Sequence, residues 1–148
     1  MFTHILVPLD GSEYSERAVE PALSLAEKYG ARITLLTVML RFPESKLQVL
    51  TVDQRSEDHG RRYLADVRAI KLGTAAVPVA LVVKLGTPAE SIVECAMESQ
   101  ADLIVMSTHG TTATRYTLGS TAWKILQDAP CPVLLLPVPR AHTREVAP

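Results

Sequence analysis

Long apolar runs, cysteines and unbalanced charge are all scarce in this chain of 148 residues. No hydrophobic stretch approaches the ~20 residues needed to span a bilayer, so no membrane association is expected. The opening Met1-Phe-Thr-His-Ile-Leu lacks the basic start and long apolar segment of a secretory leader, which points to a cytoplasmic protein. Two cysteines are too few for a disulfide framework and have no zinc-like spacing. Cys95 and Cys131 therefore read as reduced, partly buried thiols. With 15 Lys+Arg against 16 Asp+Glu the net charge is −1, and no local basic run gives a nucleic-acid footprint.

The common catalytic signatures are missing as well. There is no Gly-Lys pair for a P-loop, no Gly-x-Gly-x-x-Gly, no Gly-x-Ser-x-Gly elbow and no His-Glu-x-x-His. His4, His59 and His142 fall at the start, in a charged helix and in the tail, which makes no metal constellation. An enzyme is not expected.

What is present is apolar residues, 47% of the chain, in a length that suits one core. Short unbroken runs at Ile5–Leu9, Ile33–Val38, Val77–Val83, Leu103–Met106 and Val133–Leu136 read as strands buried on both faces. Between them lie amphipathic segments. Glu13–Tyr29 carries Ala18, Ala22, Leu25 and Tyr29 at helical spacing, with Pro21 implying a kink or late start and Gly30 a C-terminal cap. Asp53–Leu72 offers Tyr63, Val67 and Ile70 on one face. Thr87-Pro-Ala-Glu90 has the form of a capping box before the stripe Ala89, Ile92, Val93, Ala96 and Met97. Gly119–Asp128 carries Ala122, Trp123 and Leu126 before Pro130. The alternation implies a single α/β domain over residues 1–138, an open parallel sheet with helices on both faces. Residues 139–148 read as a flexible tail, and Met39 to about Leu50 as an unusually long connection, either a flap or a disordered loop.

In such sheets ligands sit beyond the carboxyl ends of the strands. Asp10-Gly11-Ser12, Val38-Met39 and Ser107-Thr-His-Gly110 occupy those ends. The last continues through a Thr-rich stretch to Gly119-Ser120-Thr121 at a helix start, where bare backbone N–H groups and the helix dipole suit a phosphate. An ordinary Gly/Thr loop has the same spacing. His109 flanks Gly110 and can touch a ligand or simply face solvent. Asp10 can accept from a sugar hydroxyl, brace the following helix start, or do both. Arg115 is the loop's only fixed positive charge.

Taken together, Ile5-Leu-Val-Pro-Leu-Asp-Gly-Ser-Glu-Tyr-Ser, Gly86-Thr-Pro-Ala-Glu, Ala101-Asp-Leu-Ile-Val-Met-Ser-Thr-His-Gly110, Leu118-Gly-Ser and Pro130-Cys-Pro-Val-Leu-Leu-Leu resemble the universal stress protein family from about Phe2 to Pro137. The resemblance implies a Rossmann-like sheet of order 3-2-1-4-5 and a stress-response regulator of a family in which many members bind ATP; with no lysine behind the loop, Mg²⁺ is expected to accompany the phosphates, with slow hydrolysis at most. It also implies a homodimer through the last strand; other protein partners are not indicated. The family's ATP motif is Gly-x2-Gly-x9-Gly-Ser/Thr. Here Ser107 stands at the first glycine, Gly110 matches the second, Gly119-Ser120 matches the end, and eight residues rather than nine lie between Gly110 and Gly119. By position, Pro8 and Asp10 would border ribose and adenine, Val38 would offer backbone to adenine, Ser107 can pack near a ribose, and Gly110, Gly119, Ser120 and Thr121 would hold phosphates. The alternative is a dimeric interaction module of the same family that binds no ATP.

Overall fold

The computed structural model describes residues 1–40, 46–110 and 118–139. The chain runs β1 (His4–Leu9), α1 (Glu13–Glu16), α2 (Val19–Tyr29), β2 (Arg32–Met39), α3 (Lys46–Leu72), β3 (Val79–Leu85), α4 (Pro88–Glu98), β4 (Leu103–Ser107), α5 (Ser120–Asp128) and β5 (Val133–Leu136). All four strand pairings are parallel and the sheet order is β3-β2-β1-β4-β5. The tail at 140–148, the connection at 41–45 and Arg115 lie outside the described residues.

Strand residues alternate between two cores, which explains the unbroken apolar runs. Ile5, Val7, Leu9, Ile33, Leu35, Leu103 and Val105 pack with Val19, Ala22 and Ala26 of α2 and Leu64 and Val67 of α3. Leu6, Leu36, Ile104 and Met106 pack on the other face with Ile92, Cys95 and Ala96 of α4 and Ala122 and Ile125 of α5. Every residue of β1 is buried. Fully burying each large aliphatic side chain contributes on the order of 1.5–3 kcal/mol. On α3 the close approach is made by Gly60, where a Cβ would stand 2.9 Å from Val83 Cγ1 and 3.1 Å from Thr37 Cγ2.

Several expectations need adjusting. The break near Pro21 falls before it, between Glu16 and Val19, so Pro21 sits in the first turn of α2, where a missing N–H leaves no bond unmade. Helix α3 begins seven residues ahead of Asp53, because no Gly or Pro between Lys46 and Asp53 stops it; the long connection is shortened accordingly. Strand β3 is shifted to start after Pro78 and to include Lys84, whose ammonium pairs with Glu94 and Glu98 of α4 at 2.9 and 2.7 Å. Thr87 is the N-cap of α4 and Pro88 opens it, but the Thr87 side chain makes no cap bond and Glu90 instead pairs with Lys124 at 2.8 Å, so there is no capping box. Ile70 is 80% exposed, Met97 is exposed, and Trp123 is 58% exposed; Leu64 and Ile125 take the core positions in α3 and α5.

At the amino ends of the strands Asp102 accepts from Thr3 N, Thr3 Oγ1 and His4 N at 2.8, 2.8 and 3.1 Å, pinning the start of β1 beside β4. His4 is buried, with Nδ1 2.9 Å from the Ser99 carbonyl and Nε2 2.7 Å from Thr34 Oγ1. A carbonyl only accepts, so Nδ1 carries the proton and neutral Nε2 accepts from the threonine hydroxyl. Burial holds the His4 pKa below 6.5, assisted by Arg32 and opposed by the Ser99 bond and Asp102. The unfolded chain thus binds this proton more tightly than the folded one. The contribution of neutral His4 to stability is complete above pH 6.5 and is lost as pH falls through the window below it. Urea midpoints measured across that window fall for the native chain, and the fall is shallower in His4→Gln, which has nothing to titrate there.

Candidate functional site

The sheet order reverses beside β1, whose neighbours β2 and β4 lead the chain away in opposite directions. A crevice opens there at the carboxyl ends of the strands. It is a cavity of about 330 Å³, and all nine residues singled out from the sequence line it: Pro8, Asp10, Val38, Ser107, His109, Gly110, Gly119, Ser120 and Thr121. Leu36, Leu40, Ile92 and Met106 supply apolar wall, and Pro88 and Ile92 bring α4 to the site. The sequence pattern marked Pro88 and Ile92 as helix start and core stripe, with no signal that the same helix end would border a cavity.

One rim is the β1–α1 turn. Leu6 pairs with Ile104 across the sheet, and beyond the ends of the two strands the Asp10 carboxylate lies against Gly110. Asp10 Oδ1 accepts from Ser12 N at 2.9 Å and from Ser12 Oγ. Ser12 is the N-cap of α1, with its Oγ accepting from Ser15 N at 3.1 Å. Asp10 N donates to Ser15 Oγ at 3.2 Å, and Ser15 Oγ donates to the Ser12 carbonyl at 2.9 Å. Gly11, at φ +85°, is held in the left-handed region that favours glycine. The amides of Asp10, Gly11, Ser12 and Ser15 all have protein acceptors, so this rim presents a carboxylate and few free donors. Asp10 does brace the following helix start, through Ser12, and its other oxygen faces Gly110.

The opposite rim is built differently. Ser107 is buried and its hydroxyl donates to the His109 carbonyl at 2.8 Å, so this serine closes the turn that leads out of β4. His109 is half-buried on the cavity wall, with Thr108 Oγ1 2.9 Å from its Nδ1. Gly119 N donates to the Thr108 carbonyl at 3.1 Å and opens α5 as its N-cap with no side-chain cap bond. The first backbone N–H groups of α5, at Ser120 and Thr121, lack intrahelical acceptors by helix geometry and border the cavity, where the positive end of the helix dipole favours an anion.

Both glycines of this rim are required by the protein itself, before any ligand is considered. A Cβ on Gly110 would fall inside the Asp10 carboxylate, and one on Gly119 would stand 2.8 Å from the Thr108 carbonyl oxygen. The dihedrals of Gly119, φ −57° and ψ 146°, are open to any residue, so contact rather than strain dictates glycine there. Among the described residues no three His, Cys, Asp or Glu side chains gather as a metal set. Cys95 and Cys131 are free thiols, and burial pushes both to raised pKa values.

Replacing a loop glycine by alanine ordinarily stabilises by about 0.4–1 kcal/mol where the backbone allows it. Gly119→Ala is expected to do the reverse, destabilising by about 1–3 kcal/mol through overpacking against Thr108, as read from urea unfolding.

The universal stress protein family model matches residues 1–137. A universal stress protein from Thermus aquaticus is 36% identical over 142 residues, covering 92% of this chain and 99% of its own. Among solved structures, a universal stress protein of Lactobacillus plantarum superposes with a TM-score of 0.79 at 24% identity, covering 91% of this chain and 97% of its own. A universal stress protein solved in complex with cAMP gives 0.72 at 23% identity, covering 91% and 97%. One from Arabidopsis thaliana with AMP bound gives 0.65 at 19% identity, covering 97% of both chains. The fold at these identities is shared, and the match over nearly the whole length means that the chain belongs to the universal stress protein family.

Proposed function

We propose that this protein is a cytoplasmic nucleotide-binding regulator of the stress response, with ATP as its ligand, Mg²⁺ accompanying the phosphates, and at most slow hydrolysis. The observation that carries the reading is the asymmetry of the crevice at the sheet reversal. Its apolar walls, Leu36, Val38, Leu40 and Ile92, suit a base; Asp10 suits the sugar hydroxyls; the opening turn of α5 suits phosphates. That structures of the same fold are known with cAMP and AMP supports a nucleotide as the ligand. Mg²⁺ commonly binds through one or two carboxylates plus substrate phosphates, which fits a rim with Asp10 and no preformed metal set among the described residues. Asp10 would face the sugar, Ser120 and Thr121 the phosphates. The regulatory part of the reading rests on membership of the universal stress protein family.

Calorimetry with Mg-ATP tests the reading, with micromolar affinity expected, or about 8 kcal/mol. Ser120→Glu separates binding from folding. A carboxylate in the first turn of α5 stabilises the helix by about 0.3–1 kcal/mol. The same charge repels phosphate, so ATP affinity falls by about tenfold or more, near 1.4 kcal/mol, while adenosine binding changes little. Nucleotide-free purified protein that gives no heat with Mg-ATP, AMP or cAMP would leave the interaction-module reading in its place.

The quaternary reading is a homodimer through β5. This strand ends the sheet and leaves Leu134 38% exposed, while Trp123 and Leu126 are exposed on the adjoining helix α5. An uncovered apolar edge strand is a liability that pairing with a two-fold mate removes. Light scattering at micromolar concentration is expected to give a dimer mass, and Leu134→Asp a monomer.

A further inference from the structure

Tyr63 lies on α3, outside the cavity lining, yet its hydroxyl is tied to the turn that carries Asp10. The Gly11 amide donates to Tyr63 Oη at 3.1 Å, and Tyr63 Oη donates to Glu16 Oε1 on α1 at 2.9 Å. One phenol oxygen therefore joins the β1–α1 turn, α1 and a helix whose tyrosine is 52 residues away in sequence. The fold accounts for the ring, which packs against the core shared by β1, α2 and α3. It does not account for the hydroxyl, since a phenylalanine would fill the same space. Burial, then the bond to Glu16, raises the Tyr63 pKa well above its ordinary value, so the phenol keeps its proton and remains a donor.

The turn is tied from outside as well as from within. Gly11 sits at φ +85° with no atom within 4 Å of where a Cβ would stand, and its amide is bonded to Tyr63 Oη from α3. The local bonds from Ser12 fix one oxygen of Asp10. Asp10 N is held within the turn by Ser15 Oγ at 3.2 Å, and the Gly11–Tyr63 bond adds a tie from α3 to the peptide between Asp10 and Ser12. We infer that Tyr63, seated by Glu16, is a positioning residue that aims the Asp10 carboxylate at the sugar hydroxyls and so sets the preference of the site for a ribonucleotide. The inference rests on the nucleotide reading above.

The test compares ATP with 2′,3′-dideoxyATP by calorimetry on the full chain. The wild-type protein favours ATP. Tyr63→Phe weakens ATP by about five- to tenfold, the range of one lost hydrogen bond, and leaves the dideoxy analogue nearly unchanged, so the preference collapses. Glu16→Gln keeps an amide oxygen to accept from Tyr63 and retains the preference, whereas Glu16→Ala behaves as Tyr63→Phe. In amide exchange, Gly11 loses protection in Tyr63→Phe while β1 does not. Equal weakening of both nucleotides would mark Tyr63 as merely structural, and an undiminished preference would leave it without a role; either result overturns the inference. A wild-type protein that binds neither nucleotide overturns the nucleotide reading itself, and the inference with it.

Discussion

Strand β1 is hydrogen-bonded on both edges, to β2 and β4, and covered on both faces, by α2 and α3 on one side and α4 and α5 on the other. A slip of one residue would turn Ile5, Val7 and Leu9 toward the wrong core and Leu6 away from its own. Its register is therefore set by burial, and its two ends serve different purposes. At the amino end Asp102 gathers three donors and His4 bridges to Ser99 and Thr34. At the carboxyl end the same rigidity delivers the Asp10 carboxylate against Gly110. Everything at the crevice depends on that delivery, because the opposite rim is positioned by β4, which is paired to the same strand.

The two rims divide the chemistry between them. The β1–α1 turn consumes its own amides and leaves a carboxylate; the β4–α5 rim closes its turn with a serine hydroxyl and leaves helix amides. A carboxylate and a helix start therefore border one crevice with apolar walls, and the nucleotide proposal rests on that combination. Ser107 bears on this directly. Where the family's motif has glycine, this chain has a side chain that replaces conformational freedom with a hydrogen bond to the His109 carbonyl at 2.8 Å. The turn is thereby tied down by the substituent.

The outer face of the molecule is less uniform than the helical periodicities imply. Amphipathic spacing puts Met97, Trp123, Leu126 and Ile70 near the apolar side of their helices, yet all four are exposed. Small residues explain part of this. Ala89, Ala96 and Ala122 bring α4 and α5 close to the sheet, and larger side chains at the margins of so close a contact are pushed outward. Gly60 does the same for α3 against Val83 and Thr37.

The local order of residues determined much of this protein. Unbroken apolar runs of strand length read as strands covered on both faces, Gly30 and Gly119 marked helix ends, and the hydroxyl- and glycine-rich stretch before α5 marked a strand-to-helix rim. Those are properties of neighbouring residues, legible because period, capping and turn chemistry act over a few positions. The tertiary structure alone decided which distant groups meet. Glu90 reads as half of a capping box but finds Lys124, 34 residues on, because α4 and α5 lie side by side. Gly110 reads as room for a phosphate, yet the group that would strike its Cβ is Asp10. Tyr63 reads as one more apolar position on α3, and only folding carries its hydroxyl to Gly11 and Glu16. Such contacts have no local signal, since a hydrogen bond or a steric limit is set by distance in space, and the distance between elements far apart in sequence is fixed only when both cores have packed.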